Sequence, residues 1–173
     1  MRKRLKELCC LPAMSGYEDE AGKYIYREFS RFCSNVKSDT AGNIMAEFKG
    51  KIPGAKKVMI FAHMDQLGLV VRRVDSAGFL YVERAGGVPE KILPGLEVSV
   101  RTESGKWVSG VIGNKSHHAS DPADKTRVTP IRELYVDLGL ESREDAEAFG
   151  ITTGCPVVYK GRFAELGKDR CYG

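Results

Sequence analysis

Between Ile44 and Tyr159 the apolar residues of this chain come in eight short runs: Ile44–Phe48, Val58–Ala62, Leu67–Val74, Phe79–Val82, Leu96–Val100, Trp107–Ile112, Leu134–Leu138 and Val157–Tyr159. Runs of this length suit strands and are too short for most helices. Turn signals separate many of them, among them Ala41-Gly42-Asn43, Pro53-Gly54, Asp75-Ser76-Ala77-Gly78, Pro94-Gly95 and Ser104-Gly105. Strands spaced so closely, with no helical stretch between most of them, predict an antiparallel barrel or sandwich over about residues 70–160.

The first thirty-odd residues read differently. Leu5, Leu8 and Cys9 share a helical face until Pro12 stops it. Ser15-Gly16-Tyr17-Glu18 has the spacing of a capping box, in which the Ser15 hydroxyl takes the Glu18 amide and the Glu18 carboxylate reaches back. Behind it Ala21, Tyr24, Ile25, Phe29 and Phe32 form one apolar stripe at helical spacing. A helix, a hairpin and then the almost wholly apolar Val58–Ala62 suggest the start of an α/β unit with a strand buried on both faces. Near the end, Ser142 is placed to cap a helix over Arg143–Phe149, which Gly150 terminates.

Composition narrows the function classes. With 27 basic and 23 acidic residues in 173, the net charge of +4 is small and dispersed, which argues against nucleic acid as a partner. No apolar stretch approaches the ~20 residues of a membrane helix, and Lys6, Glu7 and Pro12 interrupt any signal-peptide core. The five cysteines include no C-x-x-C pair, and an odd number cannot all pair within one chain, so free, mostly buried thiols in a reducing cytoplasm are expected.

The densest group of chemistry-bearing residues is Ala62-His63-Met64-Asp65-Gln66, directly after the most apolar run. Ligands of α/β sheets bind beyond the carboxyl ends of strands. His63 and Asp65, two residues apart, project to one side of an extended chain. Such a pair reads either as an imidazole metal ligand oriented by a carboxylate or as a satisfied histidine at a capped strand end. His117-His118, in a polar loop, reads as a solvent-exposed pair, since adjacent side chains diverge. No phosphate-binding glycine loop follows a strand, and no G-x-S-x-G elbow occurs.

Taken in order, seven segments carry more than each does alone. These are Ser15–Glu18, Asp39–Asn43, Ala62–Gly68, Gly78-Phe79-Leu80 with Gly86-Gly87, Gly110–Gly113 ahead of His118, Leu134–Gly139, and Ser142–Gly154 with Pro156-Val157-Val158. The chain resembles, over essentially its whole length, the N-terminal portion of the glutamyl and deblocking aminopeptidases, metallopeptidases that assemble into tetrahedral, dodecameric shells. The resemblance implies an α/β fold: an incomplete aminopeptidase-like catalytic layer, with an inserted β-rich, barrel-like domain. Residues 1–68 would begin the catalytic domain, 69–160 would be the oligomerisation domain, and 161–173 would return to the catalytic domain. It also implies that His63 ligates one of two divalent metal ions, zinc or cobalt, with Asp65 as the carboxylate that orients it. The activity implied is removal of N-terminal residues from peptides, by a homo-oligomer.

The resemblance also implies that most of the site lies beyond this sequence. In the family the bridging aspartate belongs to an Asp-Asp-Arg motif following a segment like Phe163–Gly173, and the general-base glutamate and remaining ligands come later. Asp169-Arg170 imitates that motif but sits too close to Phe163–Gly167, and Gln66 stands where many relatives carry glutamate. Two readings follow: an aminopeptidase of which this is an inactive N-terminal portion, or a non-catalytic oligomerisation or binding module of the same descent.

Overall fold

The computed structural model describes residues 1–173, apart from the side chain of His117. The first helix, α1 (Arg2–Cys9), ends just before Pro12, as expected where the chain ahead of a proline is pushed out of helical geometry. The second, α2 (Asp19–Ser30), carries Asp19 and Glu20 in its first turn, where the helix dipole favours carboxylates. It buries Ala21 and Tyr24, whose hydroxyl donates to Glu7 Oε2 of α1 at 2.7 Å. Arg4 Nε donates to Glu28 Oε2 at 2.9 Å, so the two helices are joined by two polar bridges.

After α2, β1 (Val36–Ser38) and β2 (Ile44–Ala46) form an antiparallel hairpin. Its turn is held by one side chain. Asp39 accepts from the Ala41 amide at 3.0 Å, the Asn43 amide at 2.9 Å and Asn43 Nδ2 at 2.8 Å, and Gly42 takes the positive φ of +85° that closes the turn.

Val58–Ala62 departs from expectation. It forms no strand, and Val58, Met59, Ile60 and Phe61 are each 83–93% exposed. A parallel strand buried on both faces needs a hydrogen-bonded neighbour on each side and a layer above and below. Among the described residues no strand pairs with this segment. In place of the α/β layer expected of residues 1–68 there are two helices, a separate hairpin and this irregular stretch.

The β-rich expectation is met. Six strands, β3 (Gly68–Val74), β4 (Leu80–Ala85), β5 (Glu97–Arg101), β6 (Trp107–Gly113), β7 (Tyr135–Asp137) and β8 (Pro156–Tyr159), close a barrel in the order β3-β4-β7-β6-β5-β8. All its pairings are antiparallel, and β8 returns to β3, so the barrel has no free edge. Alternate residues point inward: Leu69 and Val71, Leu80 and Val82, Val98 and Val100, each at most 1% exposed. The alternation in β3 slips by one at a bulge between Val71 and Arg73. The extra residue sends both Arg72 and Arg73 outward while Val74 still reaches the core.

The barrel core is completed by Val88, Leu93, Ile131, Leu134 and Ile151 from its connections, and by Ala146 of a short helix, α3 (Arg143–Ala148). That helix starts as expected: the Asp145 amide donates to Ser142 Oγ at 3.0 Å, and Gly150, at φ +71°, follows its end. The last residues form a second hairpin, β9 (Ala164–Leu166) with β10 (Arg170–Tyr172). It lies against α1, where Arg2 reaches Asp169 at 3.4 Å and Glu165 at 4.0 Å.

Candidate functional site

The site is built where two chain segments run alongside each other. Met14 and Gln66 form a parallel bridge, and the Gln66 amide donates to the Ala13 carbonyl at 2.7 Å. Ala13 and Met14 are buried, and Met14 packs on Gly68 at the first residue of the barrel. Gln66 Nε2 adds a long contact of 3.5 Å to the Leu11 carbonyl. This clamp fixes Asp65 and Ser15, each next to a bridged residue.

His63 and Asp65 meet as their spacing predicts. His63 Nδ1 lies 3.0 Å from Asp65 Oδ1 and 2.9 Å from the Asp65 backbone carbonyl. Both neighbours are acceptors, so Nδ1 must carry the proton. The other ring nitrogen, Nε2, is then left with its lone pair, on a side chain that is 84% exposed. This is the tautomer in which an imidazole can ligate a metal while a carboxylate orients it.

Ser15 has a partner other than the one its spacing predicts. The expected capping box does not form: α2 starts at Asp19 with Glu18 as its N-cap, and Glu18 Oε1 accepts from the Gly16 amide at 2.9 Å rather than from the Ser15 amide. The Ser15 hydroxyl donates instead to Asp65 Oδ2. That donation foremost, and the His63 contact after it, hold the Asp65 carboxyl below its ordinary range, against the opposing effect of partial burial. The capping-box spacing concealed this role, because the true acceptor is 50 residues away in sequence.

The remaining candidates lie apart from this arrangement. The side chain of His117 is outside the described residues, and His118 is exposed in a short 3-10 turn. Asp169 occupies the tip of the β9–β10 hairpin facing Arg2, which suits a structural role. Among the described residues no group of three or more His, Cys, Asp or Glu side chains could hold a metal ion. The donor chemistry at His63 fits one ligand of a metal site, whereas zinc sites use three or four protein ligands. None of the helices described is long and apolar enough to cross a membrane.

Comparison with known proteins bears on the same residues. Residues 42–173 match the family model of the M42 glutamyl aminopeptidases. The lysyl aminopeptidase of Pyrococcus furiosus is 33% identical over 168 residues, covering 96% of this chain and 47% of that protein. Among solved structures, an aminopeptidase from the archaeon Desulfurococcus kamchatkensis superposes with a TM-score of 0.88 at 36% identity, covering 98% of this chain and 46% of that one. The Pyrococcus horikoshii TET1 peptidase, described as assembling into a tetrahedron or a large octahedral shell, gives a TM-score of 0.81 at 33% identity, over 94% of this chain and 47% of its own. The chain thus spans less than half the length of these relatives. With the ordered segments, the barrel and the family match in agreement, the chain belongs to the M42 glutamyl aminopeptidase family.

Proposed function

We propose that this chain carries the N-terminal part of a metal-dependent aminopeptidase that removes N-terminal residues from peptides. The observation that carries the reading is the His63–Asp65 pair, with Nδ1 bonded to the carboxylate and Nε2 left available. His63 ligates one of two divalent ions, zinc or cobalt, and Asp65 orients its ring. When bound, such ions polarise the scissile carbonyl and lower the pKa of the attacking water. The other ligands and the general base belong to the part of the family's length that these residues do not span. The 173 residues alone therefore bind metal weakly and release no amino acid.

Residues 1–68 and 161–173 are assigned to the catalytic domain and residues 69–160 to an inserted oligomerisation domain. A homo-oligomer is inferred from the shell-forming relative. The five thiols are all unpaired, which suits a reducing cytoplasm, but contrary to expectation only Cys155 is buried.

Titration calorimetry with Zn²⁺ and Co²⁺ tests this on the chain and its His63→Ala variant, alongside a peptide-release assay. Weak binding that disappears in the variant, with no release by either protein, is the expected result. Equal binding by both would remove His63 from the ligand set. Metal-dependent release lost in His63→Ala would overturn the assignment of inactivity.

A further inference from the structure

We propose that Ser15 is a positioning residue for His63, acting through Asp65 to hold the imidazole in the tautomer whose Nε2 is free for a metal. The inference rests on the reading of His63 as a ligand, but its first consequence concerns the metal-free protein.

The geometry forms one directed chain. A carboxylate can only accept, so the Ser15 hydroxyl donates to Asp65 Oδ2, and His63 Nδ1–H is shared between Asp65 Oδ1 at 3.0 Å and the Asp65 backbone carbonyl at 2.9 Å. With both oxygens engaged, the carboxylate plane is fixed, and so is the direction from which it takes the imidazole proton. Without Ser15, Oδ2 would lose its hydroxyl donor, and the carboxylate could turn about its Cβ–Cγ bond. Its side chain is 36% exposed, so water would compete for it.

Ser15 is itself prevented from moving away. Its neighbour Met14 is buried and bridged to Gln66, and the Tyr17 amide donates to the Met14 carbonyl at 2.7 Å. Gly16 supplies the positive φ of +83° that turns the chain immediately after it. Glu18 takes the Gly16 amide, so the loop is closed without drawing on the Ser15 hydroxyl. Two local devices thus leave that hydroxyl for an acceptor on a distant segment. A free imidazole has no such constraint and interconverts between tautomers in water.

The test compares the chain with Ser15→Ala, Ser15→Thr, Asp65→Asn and the Ser15→Ala/Asp65→Asn pair, all metal-free at alkaline pH, by long-range proton–nitrogen NMR correlation of His63. The wild type should show Nδ1 protonated and Nε2 unprotonated. Ser15→Ala should shift His63 toward a tautomer mixture, Ser15→Thr should restore the wild-type pattern, and the double variant should match Asp65→Asn. Zn²⁺ affinity should weaken about tenfold in Ser15→Ala, the lower end of the range for outer-shell partners of a metal ligand. Unchanged barrel amide resonances would confirm that the fold is intact.

If Ser15→Ala leaves the tautomer and the affinity within twofold of wild type, the proposal is wrong. If it disturbs the barrel resonances as well, Ser15→Thr decides: a hydroxyl that fails to restore the tautomer also refutes it. Should His63→Ala bind zinc as the wild type does, while the tautomer still follows Ser15, the ligand assignment fails and the positioning role stands.

Discussion

Gly68 is where the N-terminal segment meets the barrel, and a single methyl group tests how tightly they are joined. A Cβ at Gly68 would lie 2.6 Å from Met14 Cγ, 2.7 Å from Met14 Sδ and 3.0 Å from the Val157 carbonyl oxygen. Carbon contacts are most favourable near ~3.5–4.0 Å, so the methyl group overlaps Met14 by almost an ångström. Met14 is only 5% exposed and cannot swing into solvent without leaving its packing. Overpacking of this kind costs about 1–3 kcal/mol. Replacing a glycine within a strand returns about 0.5–1 kcal/mol by restricting the unfolded chain, so Gly68→Ala should lose about 0.5–2 kcal/mol net.

Met14→Ala alone should cost about 2–5 kcal/mol, as for other buried large-to-alanine changes. In the double variant the overlap with Met14 is gone, and only the close approach to the Val157 carbonyl remains. The combined loss should then fall short of the sum of the two by about 1–2 kcal/mol, within the range seen for residues in contact. Urea unfolding followed by the fluorescence of Trp107, the one tryptophan in the chain, measures all four corners of the cycle. Additivity within about 0.3 kcal/mol would show that Met14 does not press on Gly68, and the account of this junction would fail.

Three further outcomes are expected. The Asp39 carboxyl lies below its ordinary value, chiefly because Asn43 donates to it, so its contribution to the β1–β2 hairpin is fully present above the unfolded pKa and is lost as pH falls through the folded one. Amide exchange across β1–β2, corrected for intrinsic rates, should quicken as pH drops below about 4, and protection that persists unchanged into strong acid would contradict this. Ser142→Ala removes the hydroxyl that accepts from the Asp145 amide and should cost about 0.5–2 kcal/mol in urea unfolding, with Ser142→Asp recovering most of it; equal stability of all three proteins would refute the cap. Ile60→Lys places a charge within the exposed Val58–Phe61 run and should reduce self-association in light scattering at micromolar concentration, whereas a wild-type chain that stays monodisperse near 19.1 kDa would show that the run is not adhesive.

The barrel was legible because its signals are local. Inward residues recur every second position, and glycines mark its turns, so all six strands fall on apolar runs that the sequence displays. The α3 cap was legible for the same reason, since Ser142 and Asp145 are three residues apart. The bulge at Arg72 was not, because two adjacent arginines in an apolar run look like an interruption until the partner strand shows two residues facing one. The short β9 and β10 strands were missed too: each has three residues, and neither has a buried residue to give an alternating pattern.

The two departures near the site come from a limit that local patterns share. Val58–Ala62 has the composition of a buried central strand, but a strand is a relation between segments, and composition supplies only one side of it. Here no described strand offers the other side, so the same five residues lie exposed and outside any strand. Ser15 is the reverse case. Its spacing to Glu18 fits a local cap, but Glu18 is itself the N-cap of α2 and its carboxylate takes the Gly16 amide, not that of Ser15. A cap would use the Ser15 oxygen as an acceptor, but the helix starts too late to aim an amide at it, and the hydroxyl proton goes to the carboxylate held beside it by the Met14–Gln66 bridge. Once the chain has brought Asp65 to that position, the distant partner takes the proton, and a residue that reads as the start of a helix becomes part of the support beneath His63.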